Sequence, residues 1–339
     1  MTAFLFKHHY KTVGIVFLSI IVGLGIAEGV LRSIQYFPAA AVPPYLFANH
    51  SKTWWALTPG FYQTVNAKDG KVTYAINGQG IRSFKEFDVR PFPSVKRIFI
   101  VGDSYTFGWG ENEENTFSEI LYQKLLTATA QKVEVVNLGV PGFGTRQAFD
   151  RLVEYSEKLG QPQTAIYVFC PNDPVDNLTG RKVVVNGVRM DYEAKHKTLL
   201  AWIARIYYES RVIALGIDFY YNHFQDPRLL KINSLAEQKV SVEAREDFLS
   251  AQESLGNMVS WCKQRGVHLM VVSTGDSEFS GPLQHFLGQQ GIPYIDGQDI
   301  FSKKKVNGRN IVLKEGHWNK IGHELMASAL QEELSRLKW

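Results

Sequence analysis

Four apolar residues, Ile98, Phe99, Ile100 and Val101, run directly into Gly102-Asp103-Ser104 and then a glycine-rich aromatic loop ending at Gly110. A run this short and this apolar suits a strand buried on both faces, the kind that builds parallel sheets. Gly102 lets the chain turn sharply past the carboxyl end of that strand. In open α/β sheets that edge is where ligands bind, so Ser104 stands where a nucleophile would. The triplet alone is weak, because a serine after a strand more often turns the chain or caps a helix. It gains weight from the strand ends downstream of it.

The same rhythm repeats along the chain. Thr116 and Glu119 have capping-box spacing ahead of Ile120, Leu121, Leu125 and Leu126, which predicts a helix over the sheet. Val133 to Leu138 reads as a second buried strand, ending in Gly139-Val140-Pro141-Gly142-Phe143-Gly144. Thr145 is placed to cap a helix that stops at Gly160. Thr164 to Phe169 is a third strand, ending in Cys170-Pro171-Asn172-Asp173. Strands alternating with helices imply right-handed crossovers and a parallel sheet. After an irregular stretch from Leu178 to Pro227, the pattern gives a helix over Glu237 to Arg265, a strand over Val267 to Ser273 and a helix over Leu283 to Gln290. A short strand over Ile292 to Ile295 and a final helix over Lys320 to Leu337 complete the series.

The irregular stretch reads as an insertion of about 178–236 near the site mouth, either a lid or a helix on the domain flank. Lys182 to Asp191 predicts a hairpin around Asn186-Gly187, and Leu199 to Leu215 carries an amphipathic period. Upstream, Pro38 to Gly60 reads as an extended connector that begins to pack at Trp54 and Trp55. Lys71 to Arg82 predicts a small hairpin turning at Asn77-Gly78.

The amino terminus decides the compartment. Lys7, His8, His9 and Lys11 precede an almost wholly apolar run from Val13 to Ala27, which with its flanks reaches the length a membrane span needs. Basic residues before it and Glu28 after it favour the amino end inside. A cleaved leader is the rival, with Ala39-Ala40-Ala41 as a peptidase site, but that cluster lies far from the apolar run. The expected division is a short cytoplasmic end at 1–11, a single-pass anchor at 12–34, a connector and apron at 35–95, and an extracytoplasmic domain at 96–339. A net charge of +4 over 339 residues, with no basic aromatic stripe, gives no reason to expect nucleic acid as a partner. Two cysteines, Cys170 and Cys262, make neither a disulfide framework nor a metal site.

Gly102-Asp103-Ser104, Asn137 to Gly142, Asn172-Asp173 and Glu315-Gly316-His317-Trp318-Asn319 now stand in order along the chain. Acyl transfer needs a nucleophile, a base, a group that orients the base, and donors for the developing oxyanion. Four such blocks in this order resemble the SGNH (GDSL-type) hydrolase family, over roughly Ile76 to the carboxyl terminus. The resemblance implies a three-layer α/β/α fold with a central parallel, flavodoxin-like sheet, and no cofactor or metal. It implies Ser104 as nucleophile and His317 as general base. It also implies an oxyanion hole of the Ser104 N–H, the Gly142 N–H and the Asn172 amide, with Gly142 preferred to Gly139 by its spacing from Asn137.

The acid is where this chain departs from the commoner family pattern, which has Asp three residues before the His. Lys314 occupies that position and Glu315 is the nearest acid. Membrane-anchored members resemble this chain in having an acid, one residue, then His-Trp-Asn, so Glu315 is assigned; Asp296 or a backbone carbonyl are the alternatives. Asp103 reads as structural, His323 as a packing or capping residue, and Cys170 as a small buried residue. The function expected is a membrane-anchored serine esterase removing O-acyl groups, acetyl foremost, from a glycan or lipid. The same site would serve an O-acyltransferase modifying an envelope polysaccharide with a membrane-bound O-acyltransferase partner. A catalytically inactive glycan-binding protein is the third reading.

Overall fold

The computed structural model describes residues 2–34, 42–43, 45–67, 69–89, 95–129, 131–178, 182–185, 187–191, 210–213, 215–216, 219, 248–275, 278–303, 310–313 and 316–337. In chain order its strands are β1 (Phe47–His50), β2 (Trp54–Leu57), β3 (Tyr62–Ala67), β4 (Gly70–Ala75), β5 (Val95–Gly102), β6 (Lys132–Asn137), β7 (Thr164–Phe169), β8 (Lys182–Val185), β9 (Val188–Asp191), β10 (His268–Ser273) and β11 (Tyr294–Ile295). The helices are α1 (Thr2–Ser33), α2 (Ser104–Phe107), α3 (Phe117–Ala128), α4 (Thr145–Leu159), α5 (Asp173–Leu178), α6 (248–265), α7 (Ser280–Gln290), α8 (Gly297–Lys303) and α9 (Lys320–Arg336).

The main sheet is parallel throughout, in the order β11-β10-β7-β5-β6. Counting only its own strands, that is the 2-1-3-4-5 order of flavodoxin-like doubly wound sheets. The chain leaves β5 outward to β6 and then crosses back to β7 on the other side. The crevice between the carboxyl ends of β5 and β7 is therefore the topological switch point, and Ser104 and Asn172 follow those two strands.

Alternation along each strand separates two cores. Phe99, Val101, Ala165, Tyr167, Leu269 and Val271 face α4, α6 and α7. Ile98, Ile100, Ile166, Val168, Met270 and Val272 face α3 and α9. Ile98 to Val101 are all fully buried, and each such side chain contributes roughly 2 kcal/mol relative to leaving it in water. With apolar residues required on both faces, this strand fits nowhere but the middle of a layered α/β/α stack, as expected.

A third core lies over the carboxyl edge. It gathers Leu46, Phe47, Trp55, Leu57, Val65, Val72 and Tyr74 onto Phe107, Val140 and Phe143 from the loops after β5 and β6. Here the structure corrects the sequence reading. Residues 47–57 are no extended connector: β1 and β2 pair antiparallel, Phe47 opposite Leu57, because the pairing lets Phe47, Trp55 and Leu57 share one buried face. Val72 to Ala75 pairs upstream with β3, not across Asn77-Gly78, which instead closes a tight loop bridged between Ile76 and Arg82. Thr145 does not cap α4 but is its first residue, and Gly144 is the cap, with the Gln147 side chain accepting from its N–H at 3.1 Å.

The hairpin around Asn186-Gly187 forms as β8 and β9. It is tied to the apron: Val184 N–H donates to Asn49 Oδ1 and Asn49 Nδ2 to the Val184 carbonyl, each at 2.8 Å, and Tyr45 N–H donates to the Gly187 carbonyl at 2.9 Å. Glu315, Ala39 to Ala41, the amphipathic stretch over 199–209 and the start of the helix expected from Glu237 lie outside the described residues.

Candidate active site

Ser104 is the first residue of α2, and Asp103 is its cap, accepting from Tyr105 N–H at 2.9 Å. Asp103 is thus structural, and burial pushes its carboxyl above the usual range. A Cβ on Gly102 would collide with the Thr106 hydroxyl and sit 2.8 Å from the Val168 carbonyl, so only glycine permits this turn between packed strands. The loop beyond α2 is braced by buried Arg82, which donates to the carbonyls of Phe107, Gly108 and Glu111 and stacks over the Phe107 ring. Burial lowers the Arg82 pKa to about 10, which leaves it charged at neutral pH.

His317 is carried by a strip, residues 310–313 and 316–319. Val312 and Trp318 form a bridge, Leu313 N–H donates to the His317 carbonyl at 2.7 Å, and Asn319 N–H donates to the Ile311 carbonyl at 2.9 Å. Trp318 anchors the strip, buried against Phe117, Phe301 and His323. Tyr105 supports the imidazole: its ring lies 4.9 Å from that of His317, and its hydroxyl donates to the Gly316 carbonyl at 3.1 Å.

These two constructions bring His317 Nε2 to 2.8 Å from Ser104 Oγ. Residues separated by 213 positions meet at hydrogen-bond distance, both half-buried. With the ring proton on Nδ1, Nε2 accepts the serine proton, which is the geometry of a nucleophile and its base. Asp103 Oδ2 lies farther from the hydroxyl, at 3.4 Å.

The Gly142 N–H has no hydrogen-bond partner among the described residues, and Gly142 adopts φ +78°. Gly139, the alternative, is spoken for: a Cβ there would meet the backbone of Thr106 and Phe107, so the position serves close packing. Asn172 follows β7, and its Nδ2 donates to Asp176 at 2.6 Å and lies 3.5 Å from Asp103 Oδ2. Both amide hydrogens point at carboxylates, so serving an oxyanion requires the amide to release one of them. Burial raises the pKa of Asp176, and the Asn172 hydrogen bond acts against that shift.

Other candidates fall away on contact geometry. Asp296 is held at the edge of the sheet after β11, accepting from Gln298 N–H at 2.9 Å and from Ser273 Oγ at 3.3 Å. Cys170 is buried, and burial pushes its thiol well up, away from nucleophilic use. His323 accepts from Phe117 N–H at 3.2 Å and stacks on that ring, capping α3 as read. Among the described residues no group of three or more His, Cys, Asp and Glu is placed to hold a metal ion.

Sequence alone did not single out Tyr105, Arg82, Asp176 or Arg189. Only Asp176 carried a local signal, since it stands four residues after Asn172 and so shares one helical face with it.

Fold and site together define an α/β protein with a Ser–His pair at the switch point of a doubly wound sheet. No family model and no curated protein matches the chain. Among solved structures it is similar to a lipolytic protein of the G-D-S-L family from Desulfitobacterium hafniense DCB-2, at 13% identity and TM-score 0.39, over 70% of this chain and 98% of the other. It is similar to the psychrotrophic esterase EstA from Pseudoalteromonas sp., at 12% identity and TM-score 0.41, over 71% and 99%. It is also similar to a two-domain esterase, CEX, active on acetylated mannans, at 13% identity and TM-score 0.40, over 72% and 50%. Likeness this distant says nothing about individual residues, and the site stands on its own geometry.

Proposed function

We propose that this chain is a serine esterase of the SGNH type, anchored by residues 12–34 and acting outside the cytoplasm through the domain at 96–339. The observation that carries the reading is the 2.8 Å contact between Ser104 Oγ and His317 Nε2 at the sheet's switch point. Ser104 attacks the ester carbonyl while His317 takes its proton and returns it to the leaving alcohol; water then releases the acyl group by the reverse proton path. The Ser104 and Gly142 N–H groups and the Asn172 amide receive the oxyanion, and Glu315 orients the imidazole. The substrate class is an O-acylated glycan or lipid, with acetyl the foremost acyl group.

The test is release of chromophore from an aryl acetate by the full chain in detergent, wild type against Ser104→Ala. Loss of roughly a thousandfold or more in Ser104→Ala is the expected result, on the order seen when a nucleophile is removed from such a unit. Equal turnover in both proteins overturns the serine mechanism. An added oligosaccharide that becomes acylated would convert the reading to transferase without changing the residues.

A further inference from the structure

The hairpin β8–β9 carries Arg189, and this side chain lies against Gly142, whose N–H belongs to the proposed oxyanion hole. A Cβ built on Gly142 would lie 2.6 Å from Arg189 Nη1 and 3.0 Å from Nη2. The guanidinium therefore covers the Gly142 Cα directly. Its Nη1 donates to the Pro141 carbonyl at 2.5 Å. That carbonyl and the Gly142 N–H belong to one peptide unit, so they point in opposite directions.

Two donors meet at that oxygen. Trp55 Nε1 also reaches the Pro141 carbonyl, at 3.3 Å. A charged donor on the C=O of a peptide polarises the whole unit, making its N–H a stronger donor, and fixes the plane in which that N–H lies. The arginine is itself held: its guanidinium stacks over the rings of Phe47 at 4.8 Å and Trp55 at 4.9 Å, contacts that hold it in the pose it needs. Phe47 and Trp55 are buried in the apron core, and the hairpin is tied to β1 through Asn49. Arg189 also attracts Asp176, the acceptor for the Asn172 amide.

We propose that Arg189 is the positioning residue of the oxyanion hole: by binding the Pro141 carbonyl it orients and polarises the 141–142 peptide, so that the insertion hairpin completes the catalytic site. This rests on the serine esterase reading above. It gives the hairpin a fixed role as a brace, where the sequence admitted a lid. Its charge acts through the peptide and not by touching substrate, so its removal is felt in the transition state and not in ground-state binding.

The test compares wild type with Arg189→Met, Arg189→Lys and Ser104→Ala as full chains in detergent. The readouts are kcat and KM on an aryl acetate, the rate of Ser104 labelling by an alkyl fluorophosphonate, and the melting temperature. Methionine keeps an unbranched stem on the two rings and loses the donor; lysine restores a charged donor. We expect kcat and labelling rate to fall about tenfold in Arg189→Met with KM unchanged, and to recover most of the loss in Arg189→Lys. Unchanged kcat and labelling in Arg189→Met overturns the inference while leaving the serine mechanism intact. A rise in KM alone overturns it in favour of direct substrate contact. Equal loss in Met and Lys variants with a lowered melting temperature overturns it in favour of a structural role. Absence of Ser104-dependent turnover and labelling in the wild type overturns the esterase reading itself, before any Arg189 variant is compared.

Discussion

His317 and His323 lie six residues apart and are put to opposite uses. His317 is half-buried with Nε2 on Ser104 Oγ. His323 is fully buried, neutral, and accepts from Phe117 N–H; burial, helped by the nearby charge of Arg82, pushes its pKa down to about 3. A histidine with a lowered folded pKa contributes stability that is complete above the unfolded value of about 6.5 and is lost as pH falls toward 3. At pH 4.5 the loss is about 2–3 kcal/mol, from two pH units below the unfolded value. His323→Asn keeps an acceptor for Phe117 and removes the titration. Denaturant unfolding of both proteins between pH 7.5 and pH 4.5 should show the wild type losing about 2–3 kcal/mol more than the variant. Parallel profiles would place the acid sensitivity elsewhere. At this scale the sequence brought forward Ser104 and His317, which the structure places at hydrogen-bond distance, because each stands in a short block of small and polar residues that the resemblance picked out. It concealed Tyr105 and Arg189, whose roles arise from ring stacking and a guanidinium contact with residues far along the chain.

Among the elements, α9 couples folding to the site. Its cap, Asn319, accepts from Ile321 N–H at 2.9 Å and from Gly322 N–H at 3.2 Å, and its Nδ2 donates to the Asn310 carbonyl at 2.9 Å. One side chain thus begins the helix and holds the strip that carries His317. Asn319→Ala should cost about 1 kcal/mol of stability, the usual value of a cap, and lower kcat as well. Asn319→Asp keeps the cap acceptors and loses the donor, so it should restore the melting temperature while kcat stays low. Recovery of both would mean that the Asn310 contact plays no part. The inner strands of the main sheet were legible because their apolar runs give way abruptly to small or polar residues: Thr164–Phe169 has the bounds the sequence implied, whereas the edge strand β11 is only Tyr294–Ile295. The apron was less so. Strands β1 and β2 are four residues each and bury only one face, which leaves too short an alternation to read, and their partner surface, Val140 and Phe143, is distant in sequence. The β8–β9 hairpin was visible because Asn-Gly fixes a turn locally. Its docking over Gly142 was not, since that depends on Asn49, Tyr45 and the apron.

For the whole molecule, the proposed anchor would decide where the chemistry takes place. Thr12–Ser33 is 22 residues long with mean hydropathy 2.3 and none of it buried against the protein. At 1.5 Å per residue such a helix is about 33 Å long, which matches a hydrocarbon core of about 30 Å. Glu28, near the end of this run, accepts from Ser210 Oγ at 3.1 Å, Arg211 N–H at 3.1 Å and Val212 N–H at 3.0 Å, and pairs with Arg32. The helix thereby contacts residues 210–212, a contact that a retained anchor would keep. In the proposed anchor, the basic residues Lys7 and Lys11 on the amino side would keep that end in the cytoplasm by the positive-inside bias. A chain tagged at both ends should therefore remain in the membrane pellet through an alkaline carbonate wash and leave it in detergent. Protease added outside a sealed cell should consume the carboxyl tag and spare the amino tag. A soluble product whose amino terminus lies beyond Ala41 would show that the helix is a leader, and Glu28 would then be removed with it and play no part in the mature protein. Full-length chain with both tags protected would put Ser104 on the cytoplasmic side, and an envelope glycan would be out of its reach.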